Sequence, residues 1–188
     1  MTEIEQLLSR VAEAAGTTRP WGWSFLPAPV DAEAIARAES ALGFPLLPLL
    51  AALYLRVGDG GFGPEYGVLP LLDSSPAGER AVVAQYLTNR TEAEKDPDWP
   101  WPEGVLPISH WGCGMYACVD CSSPHGTVLL YEPNADEAEH SWYVDAPGLK
   151  EWLTTWLDGK GWYEESYSGP DLEPWADFSI RTGAAQVR

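Results

Sequence analysis

The residues with the most obvious chemical capacity lie close together: His110-x2-Cys113-x4-Cys118-x2-Cys121-x3-His125 places five soft donors within 16 residues. Zinc takes four such ligands tetrahedrally, usually as pairs presented by tight turns. Here Cys118 and Cys121 fall three apart at the end of a predicted strand, which sends their side chains to opposite faces. Val119-Asp120 also makes a poor turn between them. The competing reading is that Cys113 and Cys118 are small buried apolar residues, as free cysteines usually are. No helix starts at Cys118-Val-Asp-Cys121, so a thioredoxin-like use lacks its context. No metal and no cofactor is expected.

Nucleophilic catalysis finds little support. Cys113 sits between Gly112 and Gly114 without an active-site signature, and no Gly-x-Ser-x-Gly occurs. The Gly58–Gly63 run lacks the Lys-Ser/Thr of a phosphate loop and reads as a helix-to-strand turn with positive φ angles. Asp120 is the carboxylate that stands out, set in the apolar run Tyr116-Ala-Cys-Val-Asp-Cys121 on the side of Tyr116 and Cys118. A carboxylate there must find donors, either as a structural linchpin or in a binding cleft.

Composition narrows the classes further. The chain has 188 residues and a net charge of −17, with 11 basic against 28 acidic residues. A nucleic-acid binder needs clustered positive charge, so direct binding to nucleic acid is excluded, and so is adhesion to anionic lipid. The acidic N-terminus carries no export signal, and the longest apolar run, Phe44–Leu55, holds two prolines in 12 residues, short of the roughly 20 a bilayer span needs. Three cysteines do not build a disulfide framework. A cytoplasmic protein is expected. Ten Trp and eight Tyr accompany the charge, and between Tyr131 and Asp177 twelve acidic residues face only Lys150 and Lys160. Acidic surface interleaved with aromatics suits a basic protein partner; the alternative is solubilising charge over a Trp-filled core.

The elements that must position these residues can be read from periodicity. Thr2 and Glu5 form a capping box before Ile4, Leu7, Leu8 and Val11, with Gly16 as the stop. Asp31 caps a second helix ending at Gly43, and Pro48 opens a third that runs into Gly58. Tyr66–Leu71 reads as a short strand, Glu79–Asn89 as a helix and Glu92–Pro102 as an acidic loop. Strands follow over Gly104–Ile108, Met115–Asp120, Thr127–Glu132 and His140–Val144, the middle two joined at Ser122–Gly126. Asp145 caps a last helix, with Pro147 in an early position. This order predicts an α+β fold: one domain over residues 1–178, a mostly antiparallel or mixed sheet of about four to six strands flanked by helices, and a frayed tail over 179–188.

Two separated blocks carry a family resemblance. Glu39-Ser-Ala-Leu-Gly-Phe-Pro-Leu46 with Leu53-Tyr-Leu-Arg-Val-Gly-Asp-Gly-Gly-Phe-Gly-Pro-Glu-Tyr-Gly67, then Trp101-Pro-Glu-Gly-Val-Leu-Pro-Ile108 with Trp111-Gly-Cys-Gly-Met-Tyr-Ala-Cys-Val-Asp-Cys-Ser122, resemble the SUKH superfamily of Smi/Knr-type domains, over roughly residues 30–160. Leu47, where a proline is usual, and Asp59, where Asn often stands, are mild departures. The resemblance implies a sheet flanked by helices and a non-enzymatic binder, in bacteria typically an immunity protein that neutralises a polymorphic toxin, often a nuclease. A basic toxin domain is then the expected partner, bound by occlusion. The expected contacts are the acidic aromatic residues Glu65, Tyr66, Trp142, Glu164, Glu165 and Tyr167, with Trp111 and Asp120 lining a cleft beside them. The alternative is a standalone intracellular regulator or scaffold with an endogenous protein partner.

Overall fold

The expected starts of the first three helices hold, although the first helix runs through Gly16, its expected stop, to Thr17. In a computed structural model that describes residues 2–73 and 80–183, helix α1 (Glu3–Thr17) starts at Thr2, whose hydroxyl accepts from the Glu5 N–H at 3.2 Å. Helix α2 (Ala32–Leu42) starts at Asp31, which accepts from the Ala34 N–H at 2.8 Å, and ends at Gly43 with φ +82°. Helix α3 (Pro48–Arg56) carries its proline in the first turn, where no N–H is needed. Helix α4 (Val82–Lys95) begins later than predicted and continues into the stretch read as an acidic loop; Glu79 lies outside the described residues.

Five antiparallel strands form one sheet in chain order: β1 (Val105–Gly112), β2 (Met115–Asp120), β3 (Val128–Tyr131), β4 (Trp142–Ala146) and β5 (Glu173–Pro174). The β1–β2 hairpin turns at Cys113-Gly114, both at positive φ, as a tight two-residue connection requires. Between β3 and β4 lies a short 3-10 turn, Ala138–Ser141. Helix α5 (Leu149–Leu157) and the five-residue α6 (Phe178–Thr182) complete the chain. Helix α5 packs on β4 and, with α1 and α3, forms one helical layer, while α4 packs on β1. All share one continuous apolar core. The α+β expectation holds.

Three local predictions are corrected. Tyr66–Leu71 is not a strand: only Val68 bridges Ser109, because Gly67 takes φ +77° and Pro70 has no N–H to donate. Asp145 does not cap α5. It lies in β4, and Gly148 is the N-cap, so Pro147 precedes the helix. The segment expected to fray from residue 179 carries α6 through Thr182, and residues 184–188 lie outside the described residues.

Much of the tryptophan goes inward. Tyr116, Tyr131 and Trp142 are direct neighbours across β2, β3 and β4. Trp101 meets Tyr131 at 5.0 Å and Trp142 at 4.9 Å between ring centres, both edge-on, and Trp175 and Phe178 close the cluster from the C-terminal side. Aromatic pairs at such separations add to what burial alone supplies.

Candidate functional site

The loop after α3 is built by its glycines and one carboxylate. Gly60 and Gly61 lie at φ +78° and +74°, and a Cβ on Gly60 would stand 2.5 Å from the Val68 carbonyl oxygen. Asp59 accepts from the Leu71 N–H at 2.7 Å, a bond an Asn amide oxygen could equally accept; burial, its largest influence, raises its pKa. The Tyr54 hydroxyl donates to the Leu69 carbonyl at 2.8 Å from a fully buried ring. The turn beyond it is therefore fixed in place before it presents Glu65 and Tyr66.

Those two residues are clamped from the N-terminal side. Glu65 is exposed at φ +48°, and its carbonyl accepts from the Trp21 N–H at 2.8 Å. The Tyr66 carbonyl accepts from the Trp23 indole N–H, also at 2.8 Å. The Tyr66 ring packs between Trp21 and His110, with ring centres 5.2 and 4.5 Å away. Trp21 itself is 73% exposed. A large aromatic held at a defined angle but left open to water is an unusual expense for a fold and a common feature of binding surfaces.

The 161–167 loop joins this patch. Trp111, at the end of β1, meets Trp162 at 5.1 Å and Tyr163 at 4.9 Å. Gly161 makes this possible, since a Cβ there would lie 2.2 Å from the Tyr163 ring. Burial, then the charges of Asp145, Glu164 and Glu65, push the Tyr163 hydroxyl well above its usual pKa. Two ring groups, Trp21–Tyr66–His110 and Trp111–Trp162–Tyr163, are thereby linked through Glu65, whose charge acts on Tyr163 together with that of Glu164. Glu165 is exposed beside them, and Tyr167 lines an adjoining groove of about 390 Å³ with Trp162, Tyr143 and Leu172. Tyr167 donates to the Pro170 carbonyl at 2.8 Å, which holds the loop folded back on itself.

Beneath the cluster lies Asp145. Burial raises its carboxyl to about 6, against which the Trp152 indole N–H, donating at 3.0 Å, helps retain the charge. The Trp162 indole N–H also opposes the shift from nearby, yet it stands outside hydrogen-bond geometry, and the buried N–H groups of Trp111 and Trp162 have no partner among the described residues. Asp145, Trp162, Tyr163 and Trp21 were not anticipated as site residues. The sequence signal that could have shown the first three is the run Gly161-Trp-Tyr-Glu-Glu165, in which a glycine permits two aromatics to fold under two carboxylates.

Two expected contact residues lie elsewhere. Trp142 is 1% exposed at the centre of the core cluster, and Asp120 is 3% exposed. Asp120 accepts from the Ser122 N–H at 2.9 Å and from Arg181 Nη1 at 2.5 Å, so it is the structural linchpin of the two alternatives and does not line a surface cleft.

The cysteine cluster is spread apart. Cys113 is exposed in the β1–β2 turn, Cys118 is buried in mid-strand, and Cys121 is half-buried past the strand end. Burial pushes the Cys118 thiol up strongly and the Cys121 thiol to about 12, so both are protonated at neutral pH. Among the described residues, the acidic and histidine side chains with donor atoms within 4.8 Å of one another are Glu137, Glu139 and His140, an exposed group outside this cluster. No helix among the described residues is long and apolar enough to cross a membrane.

A family model described as SMI1 / KNR4 family (SUKH-1) matches residues 29–155, which contain the glycine loop, α4 and strands β1 to β4. No curated protein matches the chain.

Proposed function

The chain belongs to the SMI1/KNR4 family (SUKH-1), and from that premise we propose that it is a non-enzymatic protein-binding domain, an immunity protein that neutralises a basic toxin by covering it. The observation that carries this reading is the rigid acidic aromatic surface formed by Trp21, Glu65, Tyr66, Trp111, Tyr163, Glu164 and Glu165. Its aromatics are fixed by backbone hydrogen bonds and stacking before any partner arrives, which lowers the entropy lost on binding. Its carboxylates, on a chain of −17, attract cationic surfaces over long range. A nuclease toxin is cationic around its substrate groove and is attracted by these carboxylates. Covering that groove blocks nucleic acid both sterically and by charge.

The test uses the intact chain as bait, with a toxin domain encoded beside it supplied as prey and the binding measured at rising salt. Tight binding that weakens with salt, together with loss of the toxin's activity in the complex, is the expected result. Binding to an endogenous regulatory protein, with no effect on the toxin, would replace this reading with that of a standalone regulator or scaffold.

A further inference from the structure

A second concave site lies apart from the acidic rim, between the C-terminal half of α4 and the middle of the sheet. It is a slot of about 360 Å³ lined by the rings of Trp99, Trp101, Tyr116 and Tyr131. Trp101 is buried and edge-on to Tyr131 at 5.0 Å, and Tyr116 is the strand neighbour of Tyr131. The exposed carboxylates of Glu92 and Asp96 stand at the same slot. Glu92 is close enough to add to the rise in the Tyr131 pKa, a rise due first to burial.

Helix stability does not account for these acids. The C-terminal turn of a helix carries partial negative charge, so Glu92, Glu94 and Asp96 are unfavourably placed there, and like charges four apart repel. Lys95 is the basic side chain of this last turn, and Arg90, just before it, is committed to the Trp101 carbonyl at 2.5 Å. Deeper in, Asn89 accepts from the Gln85 amide at 2.7 Å, and its own Nδ2 is buried with no partner among the described residues. The slot thus offers aromatic rings and carboxylates to a cation.

We propose that this slot binds a lysine or arginine side chain of a protein partner, the cation lying among the rings of Trp99, Trp101, Tyr116 and Tyr131 beside Glu92 and Asp96. Ring faces attract a cation most strongly when it is desolvated, and the carboxylates add charge complementarity. The inference rests on the protein-binding reading above and adds a second point of contact to it.

The probe is the peptide acetyl-Gly-Arg-Gly-Ser-amide, titrated into the isotope-labelled full chain and followed by NMR. A control peptide carries citrulline, which keeps the shape of arginine without its charge. The expected result is saturable shifts at the Trp99 and Trp101 indole N–H signals and at the Asn89 side-chain amide. Binding should be weaker by about tenfold for the citrulline peptide, and by a similar factor for a Glu92→Gln/Asp96→Asn variant. Both substitutions are at exposed positions, and an unchanged spectrum elsewhere verifies the fold. Absent or unsaturable shifts, equal binding of the citrulline peptide, or shifts centred on Trp162 and Tyr163 would each overturn the slot. A toxin that binds the double variant and the parent chain alike would also overturn it while leaving the protein-binding reading intact. Arginine-peptide binding at the slot, with no toxin bound or inhibited, would overturn the immunity reading alone.

Discussion

Arg181 reaches back 61 residues to Asp120, Nη1 to Oδ2 at 2.5 Å, and ties the last helix to the end of the second strand. The same guanidinium donates to the Glu103 carbonyl at 2.7 Å and lies 5.6 Å from the centre of the Trp175 ring. One side chain thus joins β2, the entry to β1 and the C-terminal aromatics. Asp120 is 3% exposed and Arg181 is largely covered, so removing the arginine strands a buried carboxylate on a single backbone N–H. Arg181→Ala is expected to destabilise the fold by about 2–4 kcal/mol. At about 2–4 °C per kcal/mol for a chain of this size, the thermal midpoint should fall by roughly 5–15 °C. Asp120→Ala and Arg181→Ala combined should cost much less than the sum of the two. Additive effects in that double-mutant cycle would show that the pair is not coupled.

Asp145 sets a pH dependence of opposite sign to that of most carboxylates. Burial raises its folded-state pKa to about 6 from 3.8. Below the lower value the group is neutral folded and unfolded, and contributes nothing. Between about 4 and 6 the unfolded chain ionises first, so stability from this group falls as pH rises, and above about 6 the loss is complete. Asp145→Asn keeps an oxygen for the Trp152 indole N–H and removes the charge. The variant should match the parent near pH 4 and exceed it by about 1–3 kcal/mol at pH 7.5. Chemical denaturation at both pH values measures this. A difference that is the same at pH 4 and pH 7.5 would contradict the burial argument.

How much the sequence discloses depends on how far each residue's partner lies along the chain. Thr2, Asp31 and Gly43 are read correctly because a cap engages N–H or C=O groups within about one helical turn. The β2–β3 hairpin follows from Ser122–Gly126 for the same reason, whereas the β1–β2 turn at Cys113-Gly114 is not anticipated, and β1 runs past its expected end at Ile108 to Gly112. Asp145 resembles a cap just as closely, yet it is claimed by Trp152 across the strand–helix interface. Trp142 sits in an acidic stretch that reads as surface, but its strand register places it beside Tyr131 and under Trp101. The ionic partner of Asp120 lies in a segment expected to fray. Of the rim, the acids and Tyr66 are visible from composition. That Trp21 would lie against Tyr66 depends on a loop folding back over another loop, which no periodicity encodes.

The three thiols should differ sharply in reactivity. Cys113 is exposed at φ +52° in the hairpin turn, whereas Cys118 is fully buried and Cys121 is held protonated up to about 12. A disulfide reagent at pH 7.5 is expected to titrate one thiol rapidly in the native chain and all three in denaturant. Cys113→Ser should abolish the fast phase. A zinc site shared by the three would instead shield Cys113 until a chelator is added, and a chelator-dependent fast phase is the outcome that would revive the metal reading.

The rim should act on association more through its charges and on dissociation more through its rings. Glu65, Glu164 and Glu165 carry exposed or half-exposed carboxylates around Tyr163, and reversing their sign changes the long-range field without removing packed atoms. Glu65→Lys/Glu164→Lys is expected to slow association with a basic toxin by about tenfold at low salt and to flatten the dependence of affinity on salt. Trp21 is 73% exposed, and its loss leaves the core intact, so Trp21→Ala should leave the thermal midpoint within a degree or two of the parent. The same variant should speed dissociation by about tenfold, because a pre-positioned aromatic acts as an anchor once desolvated. Surface-plasmon resonance at two salt concentrations separates the two effects. If the double charge reversal changes neither the association rate nor the salt slope, the toxin docks elsewhere, and the acidic face serves solubility alone.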